Sequence, residues 1–397
     1  MSEQVVSPRI RGFIATNAHP DGCAENVRRQ VEVARSLDGT TGRYRNVLVI
    51  GSSTGYGLAS LLCAGFGLGA NVLGVCFERE STEDRTGSAG WYNLAEAHRL
   101  AREEGRLIRT INGDAFSHDV KREAIAALQA EFGPLDLVVY SLAAPRRRDA
   151  DSDTVWSSVL KPIGAPYTGK TIDLRNDAVV ETTIGPATND EVEATVKVMG
   201  GEDWSAWLHT LADAGLLAPG CRTVTYSYIG PGVTYPIYRS GTIGRAKEHL
   251  EATAASLDAL LAERCGGAAW VSINKAVVTQ SSAAIPAVAL YMSIAFKLMK
   301  QDGTHEGTIE QIVRLFRDRL DLDAPPVDEE GRIRLDDWEM QPDLQAEIAG
   351  IWDAITTETL TEVSDYAGYK RDFEQLFGFS VPGVDYAAPT EVHRALE

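Results

Sequence analysis

The segment "RNVLVIGSSTGYGLASLLCAGFGLGANVLGVCFE" (Arg45–Glu78) constrains the fold more than any other. Val47–Ile50 is a short, continuous apolar run, the pattern of a strand buried on both faces of a parallel sheet. The glycine-rich turn "GSSTGYG" (Gly51–Gly57) follows at once, then Leu58–Phe66 with helical composition, then a second strand at Asn71–Phe77. This is a βαβ unit. The rhythm repeats, with Trp91–Glu104 reading as a helix, "RLIRTING" as a strand, Val120–Phe132 as a helix and "LDLVVYSLA" (Leu135–Ala143) as a fourth buried strand. Strands alternating with helices predict an α/β chain with a doubly wound parallel sheet of the Rossmann type.

From Pro145 to about Gly200 the rhythm breaks. "YTGKTIDLRNDAVVETTIGP" alternates polar and apolar residues around "RND", like a small hairpin, and "EVEATVKVMGGEDWSAWLHTLADAGLL" reads as two helices split by Gly200-Gly201. Sheet patterning resumes at Arg222–Gly230, followed by a helix over Gly241–Arg264 and a strand at Ala268–Asn274. The remainder is mostly helical, with "DAPPVDEEGRIRLDDWEM" as an intervening loop. We expect one domain over 1–397, with an inserted hairpin and helices at about 145–220 and a helical extension at about 300–397.

A net charge of -18 argues against a general binder of nucleic-acid backbone. The basic cluster "APRRRD" (Ala144–Asp149) is either a solvated loop or a local phosphate contact. Five scattered cysteines without CxxC spacing suit a reducing cytoplasm, and the seven histidines form no HxxxH or HExxH, so no metal site is expected. Leu58–Phe77 and Ala276–Phe296 carry no charge, but their turn and polar residues fit buried elements rather than membrane spans.

The turn at Gly51–Gly57 lets backbone approach a pyrophosphate at a helix N-terminus, where free N–H groups and the positive dipole end favour an anion. Glu78 ends the second strand. A carboxylate there accepts adenosine ribose hydroxyls and repels a 2′-phosphate, which favours NADH, although Arg79 stands beside it. In "NGDAF" (Asn112–Phe116), Asp114 either bonds the adenine amino group or caps the next helix. "YSLAAP" offers small residues for close passage of the nicotinamide side.

Tyr238 precedes Lys247 by nine positions. At 100° per residue the two would face opposite sides of one helix, so they meet only if Tyr238 lies on a bend before it. Gly241 and Gly244 permit that bend. A phenol hydroxyl donates well to an enolate oxygen, and a nearby lysine holds ribose hydroxyls and lowers the phenol pKa. Short-chain dehydrogenases place the same pair four apart on one helix.

These motifs, with "RGFIATNAHPDGC", "AGWYN", "SVLKPIG", "TYSYIGPGVTYPIYRSGTIGRAKEHLE", "NKAVVTQSSAAIP", "DDWEM" and "FGFSVPGVDY", run in one order along nearly the whole chain. The sequence thereby resembles the FabV-type enoyl-acyl carrier protein reductases and trans-2-enoyl-CoA reductases. The resemblance implies NADH-dependent reduction of the C2–C3 double bond of an enoyl thioester carried on acyl carrier protein or CoA, as in fatty acid biosynthesis. It places the catalytic pair on Tyr238 and Lys247 and a substrate-contacting tyrosine on Tyr228. It places the NADH contacts on Gly51, Ser52, Ser53, Thr54, Gly55, Tyr56, Phe77, Glu78, Asp114, Ala115, Leu142, Ala143, Lys247, Val277, Val278 and Thr279. One departure is "IGPGVT", with Gly232 and Val233 where the family usually reads "IGPELT".

Two other functions compete: a non-catalytic NADH sensor, disfavoured by the intact Tyr238–Lys247 pair, and a carbonyl-reducing dehydrogenase, disfavoured by the spacing. The expected state is a cytoplasmic monomer, with a dimer as the alternative. Trp204 and Trp207 are read as core, His19 and Cys23 as packing, and Ala283–Met299 as either a cover over the acyl chain or plain core.

Overall fold

The continuous apolar runs form strands because both of their faces are covered. In β1 (Asn46–Ile50), Val47 and Val49 pack on one side of the sheet and Leu48 and Ile50 on the other, all four fully buried. The computed structural model describes residues 3–11, 14–152, 154–282, 285 and 287–396. Among these, β1, β2 (Asn71–Cys76), β3 (Ile108–Asn112), β4 (Leu135–Tyr140), β5 (Leu217–Ser227), β6 (Ala268–Ile273) and β7 (Ile333–Arg334) make one sheet. Its order is β3-β2-β1-β4-β5-β6-β7, and every neighbouring pair is parallel. The winding direction reverses between β1 and β4, which opens a crevice at the carboxyl edge.

One face is covered by α1 (Pro20–Ala34), α2 (Gly55–Leu62), α3 (Ala89–Glu103) and, later in the chain, a helix at Thr308–Leu315. The other is covered by α4 (His118–Ala127), α6 (Glu202–Asp213) and α7 (Thr242–Cys265), with α5 (Asn189–Met199) packed along α7. A third core joins α8 (Val288–Gln301) to α10 (Pro342–Ala354), α11 (Leu360–Val363) and α12 (Tyr366–Gln375), the Thr308–Leu315 helix being α9. Hydrophobic burial at about 25 cal/mol per Å2 drives all three.

The inserted hairpin pairs Tyr167–Asp173 with Ala178–Ile184, and α5 opens on a capping box between Thr188 and Glu191. Trp204 and Trp207 are fully buried core residues, and His19 and Cys23 are buried as well.

Several expectations need correction. The segment "DAPPVDEEGRIRLDDWEM" is not only a loop, because Ile333–Arg334 joins the sheet edge as β7. Leu58–Phe66 is α-helical to Leu62 and then widens into a π-helical turn over Cys63–Gly67. Arg146–Arg148 is a short strand paired with Val155–Ser157 and not a loop, although Arg146 and Arg148 are exposed. Its Arg147 is buried, donating to the Lys197 carbonyl (2.8 Å) and to Glu202 (3.0 Å). Of Ala283–Met299, residues Ala283, Ala284 and Pro286 lie outside the described residues, and Val288 onward is buried in α8. No helix among the described residues is long and apolar enough to cross a membrane.

Candidate active site

Every candidate cofactor residue except Lys247, which lies within α7, follows the carboxyl end of a sheet strand. Gly51–Tyr56 come after β1, Phe77 and Glu78 after β2, Asp114 and Ala115 after β3, Leu142 and Ala143 after β4, and Val277–Thr279 after β6. Tyr228 follows β5 directly. The parallel register therefore gathers residues from six chain segments on one rim, where α/β sheets bind ligands.

The turn after β1 is held by Gly51, whose φ of 87° an L side chain rarely adopts. A Cβ on Gly51 would lie 2.5 Å from the Ser141 carbonyl oxygen, and one on Gly57 would run into the Gly51 carbonyl. Thr54 N-caps α2 with extended backbone but no side-chain hydrogen bond, and the first turn holds no acidic residue. Its N–H groups thus face the crevice as an anion site. Ser52 is fully buried and points inward, so only its backbone serves the turn. Tyr56 also turns inward, its hydroxyl donating to the Lys275 carbonyl (2.8 Å). The Thr279 methyl lies 3.6 Å from where a Cβ on Gly55 would stand, so the loop after β6 closes over the turn.

At the end of β2, Ser53 Oγ donates to Glu78 Oε1 (2.5 Å), and the Glu78 N–H donates to Asn112 Oδ1 (2.7 Å). These bonds fix the carboxylate at the end of β2. Phe77 beside it is 78% exposed, an uncovered aromatic face suited to stacking on a base. Asp114 does not cap α4. Ser117 does, accepting from Val120 N–H, while Asp114 Oδ1 accepts from Phe116 N–H (3.0 Å) and shapes the turn. The Ala115 carbonyl accepts from Lys121 Nζ (2.9 Å) and Trp207 Nε1 (3.1 Å). Lys121 in turn pairs with buried Asp203 (2.7 Å), so the inserted helix α6 anchors the loop after β3.

Tyr238 lies on the turn before α7, and Lys247 lies within that helix, the arrangement their spacing needs if the two are to meet. Gly244 is needed there because a Cβ would collide with the Arg239 carbonyl. Tyr238 is buried and its ring meets that of Tyr228 edge-on, centroids 5.1 Å apart. Its hydroxyl makes no hydrogen bond among the described residues. Burial alone pushes its pKa well up, so the expected lowering by lysine is absent in this state. Lys247 Nζ donates to the Tyr226 carbonyl (3.3 Å), and burial lowers its pKa to about 8. Leu142 is half-buried and Ala143 exposed on the rim.

Sequence reasoning missed Glu339 and Tyr291. Glu339 is fully buried, and its carboxylate accepts from Tyr291 Oη (2.6 Å), Tyr228 Oη (3.2 Å) and Ala276 N–H (2.8 Å). Burial raises its pKa, opposed by the charge of Lys275. The "DDWEM" motif was visible, but nothing in it signalled contact with a tyrosine 111 positions earlier.

A dinucleotide crevice ending on a buried phenol with no acceptor of its own fits hydride transfer with a local hydrogen-bond donor, the chemistry of nicotinamide-dependent reductases. Comparison with known proteins narrows the class. Three family models match: the NAD(P)H binding domain of trans-2-enoyl-CoA reductase at residues 5–83, the trans-2-enoyl-CoA reductase catalytic region at 85–321, and an enoyl reductase FAD binding domain at 327–390. The chain is 52% identical to the enoyl-[acyl-carrier-protein] reductase [NADH] of Pseudoalteromonas atlantica, over 96% of this chain and 97% of the relative. It is 50% identical to the trans-2-enoyl-CoA reductase [NADH] of Clostridium perfringens, over 98% and 99%. The crystal structure of Treponema denticola trans-2-enoyl-CoA reductase in complex with NAD superposes with a TM-score of 0.94 at 45% identity, covering 99% of each chain. The chain belongs to the trans-2-enoyl-CoA reductase family, whose fold and NADH dependence it shares.

The flavin implied by one family model does not fit residues 327–390. Their inward side chains, including Ile348, Trp352, Tyr366, Tyr369 and Phe373, are buried in the third core and leave no slot for a flavin ring. Helix α12 borders a cavity of about 490 Å3, but the cavity is also walled by Thr54, Gly55, Val277 and Val278, so it adjoins the dinucleotide turn and forms no separate flavin site.

Proposed function

We infer that this chain reduces the C2–C3 double bond of a trans-2-enoyl thioester with NADH. Hydride passes from nicotinamide C4 to C3, electron density moves to the thioester oxygen, and a proton added at C2 completes the saturated acyl thioester and NAD+. Tyr238 donates its hydroxyl proton as a hydrogen bond to the developing enolate oxygen. Lys247, on the first turns of α7, holds the nicotinamide ribose hydroxyls with the N–H groups not given to the Tyr226 carbonyl. Tyr228 contacts the acyl substrate. Gly51–Tyr56 hold the pyrophosphate, Phe77, Glu78, Asp114 and Ala115 the adenosine, and Leu142, Ala143 and Val277–Thr279 the nicotinamide.

The observation that carries this reading is Tyr238, a buried side chain beside Tyr228 whose hydroxyl makes no hydrogen bond among the described residues. That O–H is free to donate when a thioester oxygen enters the site. Replacing Tyr238 by Phe is expected to lower kcat about 10²–10³-fold while NADH affinity stays the same. Full turnover by Tyr238→Phe would remove the assignment.

The thioester is carried by acyl carrier protein or CoA, and the chain works as a single domain and as a monomer. One sheet draws strands from all three matched regions, which supports the single domain. Light scattering tests the monomer. Five free cysteines, four of them buried, support a reducing cytoplasm.

A further inference from the structure

We propose that Glu339 is a positioning residue that claims the only hydroxyl proton of Tyr228, leaving Tyr238 as the member of this adjacent pair whose O–H is free for the substrate oxygen. The proposal rests on the reading of Tyr238 given above and assigns the neighbouring tyrosine its part.

A phenol has one O–H to donate. Tyr228 Oη spends it on Glu339 Oε1 (3.2 Å), so toward the site it presents lone pairs and ring. Tyr291 Oη donates to the same oxygen (2.6 Å), and Ala276 N–H fills the other (2.8 Å). Three converging donors are the surroundings of a carboxylate; a protonated acid would bring a fourth donor into a site already holding three. Gln345 Nε2 donates to Tyr291 Oη (3.0 Å), which completes that hydroxyl and keeps its proton on Glu339. The carboxylate is also the joint between substrate and cofactor sides. Ala276 lies in the loop carrying Val277–Thr279, and Tyr228 directly follows β5. Two adjacent phenols at one rim thus receive different roles, and the difference comes from a residue on a distant segment.

The Glu339→Gln variant separates this role from simple structural support. Its amide oxygen still serves Ala276 N–H, which keeps the cofactor loop in place, but its NH2 now faces the two tyrosine oxygens. Each tyrosine then accepts, and the Tyr228 proton is released toward the site. The experiment measures kcat with an enoyl-CoA, and NADH affinity by fluorescence, for Tyr238→Phe, Glu339→Gln, the double variant and Tyr228→Phe. Tyr238→Phe alone should be slow by about 10²–10³-fold, and the double variant should recover about tenfold as Tyr228 becomes a surrogate donor. NADH affinity should stay within about twofold throughout. A merely structural glutamate predicts additive losses, so a double variant as slow as Tyr238→Phe, or slower, overturns the proposal. Tyr228→Phe tests it without touching Glu339. A kcat loss under about tenfold agrees with a proton already spent, and a loss of 10²–10³-fold overturns it. Full activity of Tyr238→Phe alone would defeat the underlying reading, a result distinct from absence of rescue.

Discussion

Replacing Lys247 by Met keeps the length of the side chain and removes its charge, which isolates what the ammonium contributes. Burial holds the Lys247 pKa at about 8, below its ordinary value near 10.4. The ammonium is therefore about nine-tenths populated at pH 7 and lost as pH rises through 8. If NADH binds the ammonium form, apparent Kd grows as 1 + 10 raised to (pH − 8). That factor is about 1.1 at pH 7 and about 11 at pH 9, a tenfold weakening. Folding shows the opposite sign. The cost of burying the ammonium is present below pH 8 and is relieved as pH rises toward about 10.4, so this group adds stability at alkaline pH. Lys275, also held at about 8 by burial, is common to both proteins and drops out of the comparison. The assay is a fluorescence titration of NADH at pH 7, 8 and 9. Wild type should lose about tenfold in affinity between the ends, and Lys247→Met should bind weakly with no slope. A flat wild-type profile, or a slope surviving in Lys247→Met, refutes the ribose-anchor role.

Glu78→Ala should narrow the preference for NADH over NADPH by removing the carboxylate that Ser53 fixes at the end of β2, measured as the ratio of kcat/KM for the two cofactors; an unchanged ratio contradicts it. Lys121→Met leaves Asp203 buried without its cation and should cost about 3–5 kcal/mol in urea unfolding, since a stranded buried charge is what makes such a deletion expensive. A loss under about 1 kcal/mol would show that Tyr140, the other donor to Asp203, suffices.

The central βαβ units were legible because strands covered on both faces become continuous apolar runs, and Val47–Ile50 is one. The cofactor rim was legible for a related reason. Parallel topology places loop after loop at one edge, so residues following strands share a site. The resemblance singled out Tyr238 and Lys247, and helix geometry added that the two can meet only if Tyr238 lies on a bend before the helix. Helix α1 was not anticipated, because it starts from a buried His19 cap rather than a Ser, Thr, Asp or Asn. Strand β7 has two residues between charged neighbours, too few to show a period. Glu339 was hidden for a different reason. Its meaning lies in tertiary contacts with Tyr228, Tyr291 and Ala276, and local patterning carries no trace of them.

The most direct test of the proposed reaction follows the hydride itself. The protein is incubated with a short-chain trans-2-enoyl-CoA and NADH carrying deuterium at the transferable C4 position, and the product is read by mass spectrometry and NMR. The account predicts one deuterium at C3 of a saturated acyl-CoA, formed in step with NADH oxidation and slowed about 10²–10³-fold in Tyr238→Phe. Deuterium at C2, deuterium on a reduced carbonyl carbon, or tight NADH binding without any turnover of enoyl-CoA or enoyl-acyl carrier protein would contradict it.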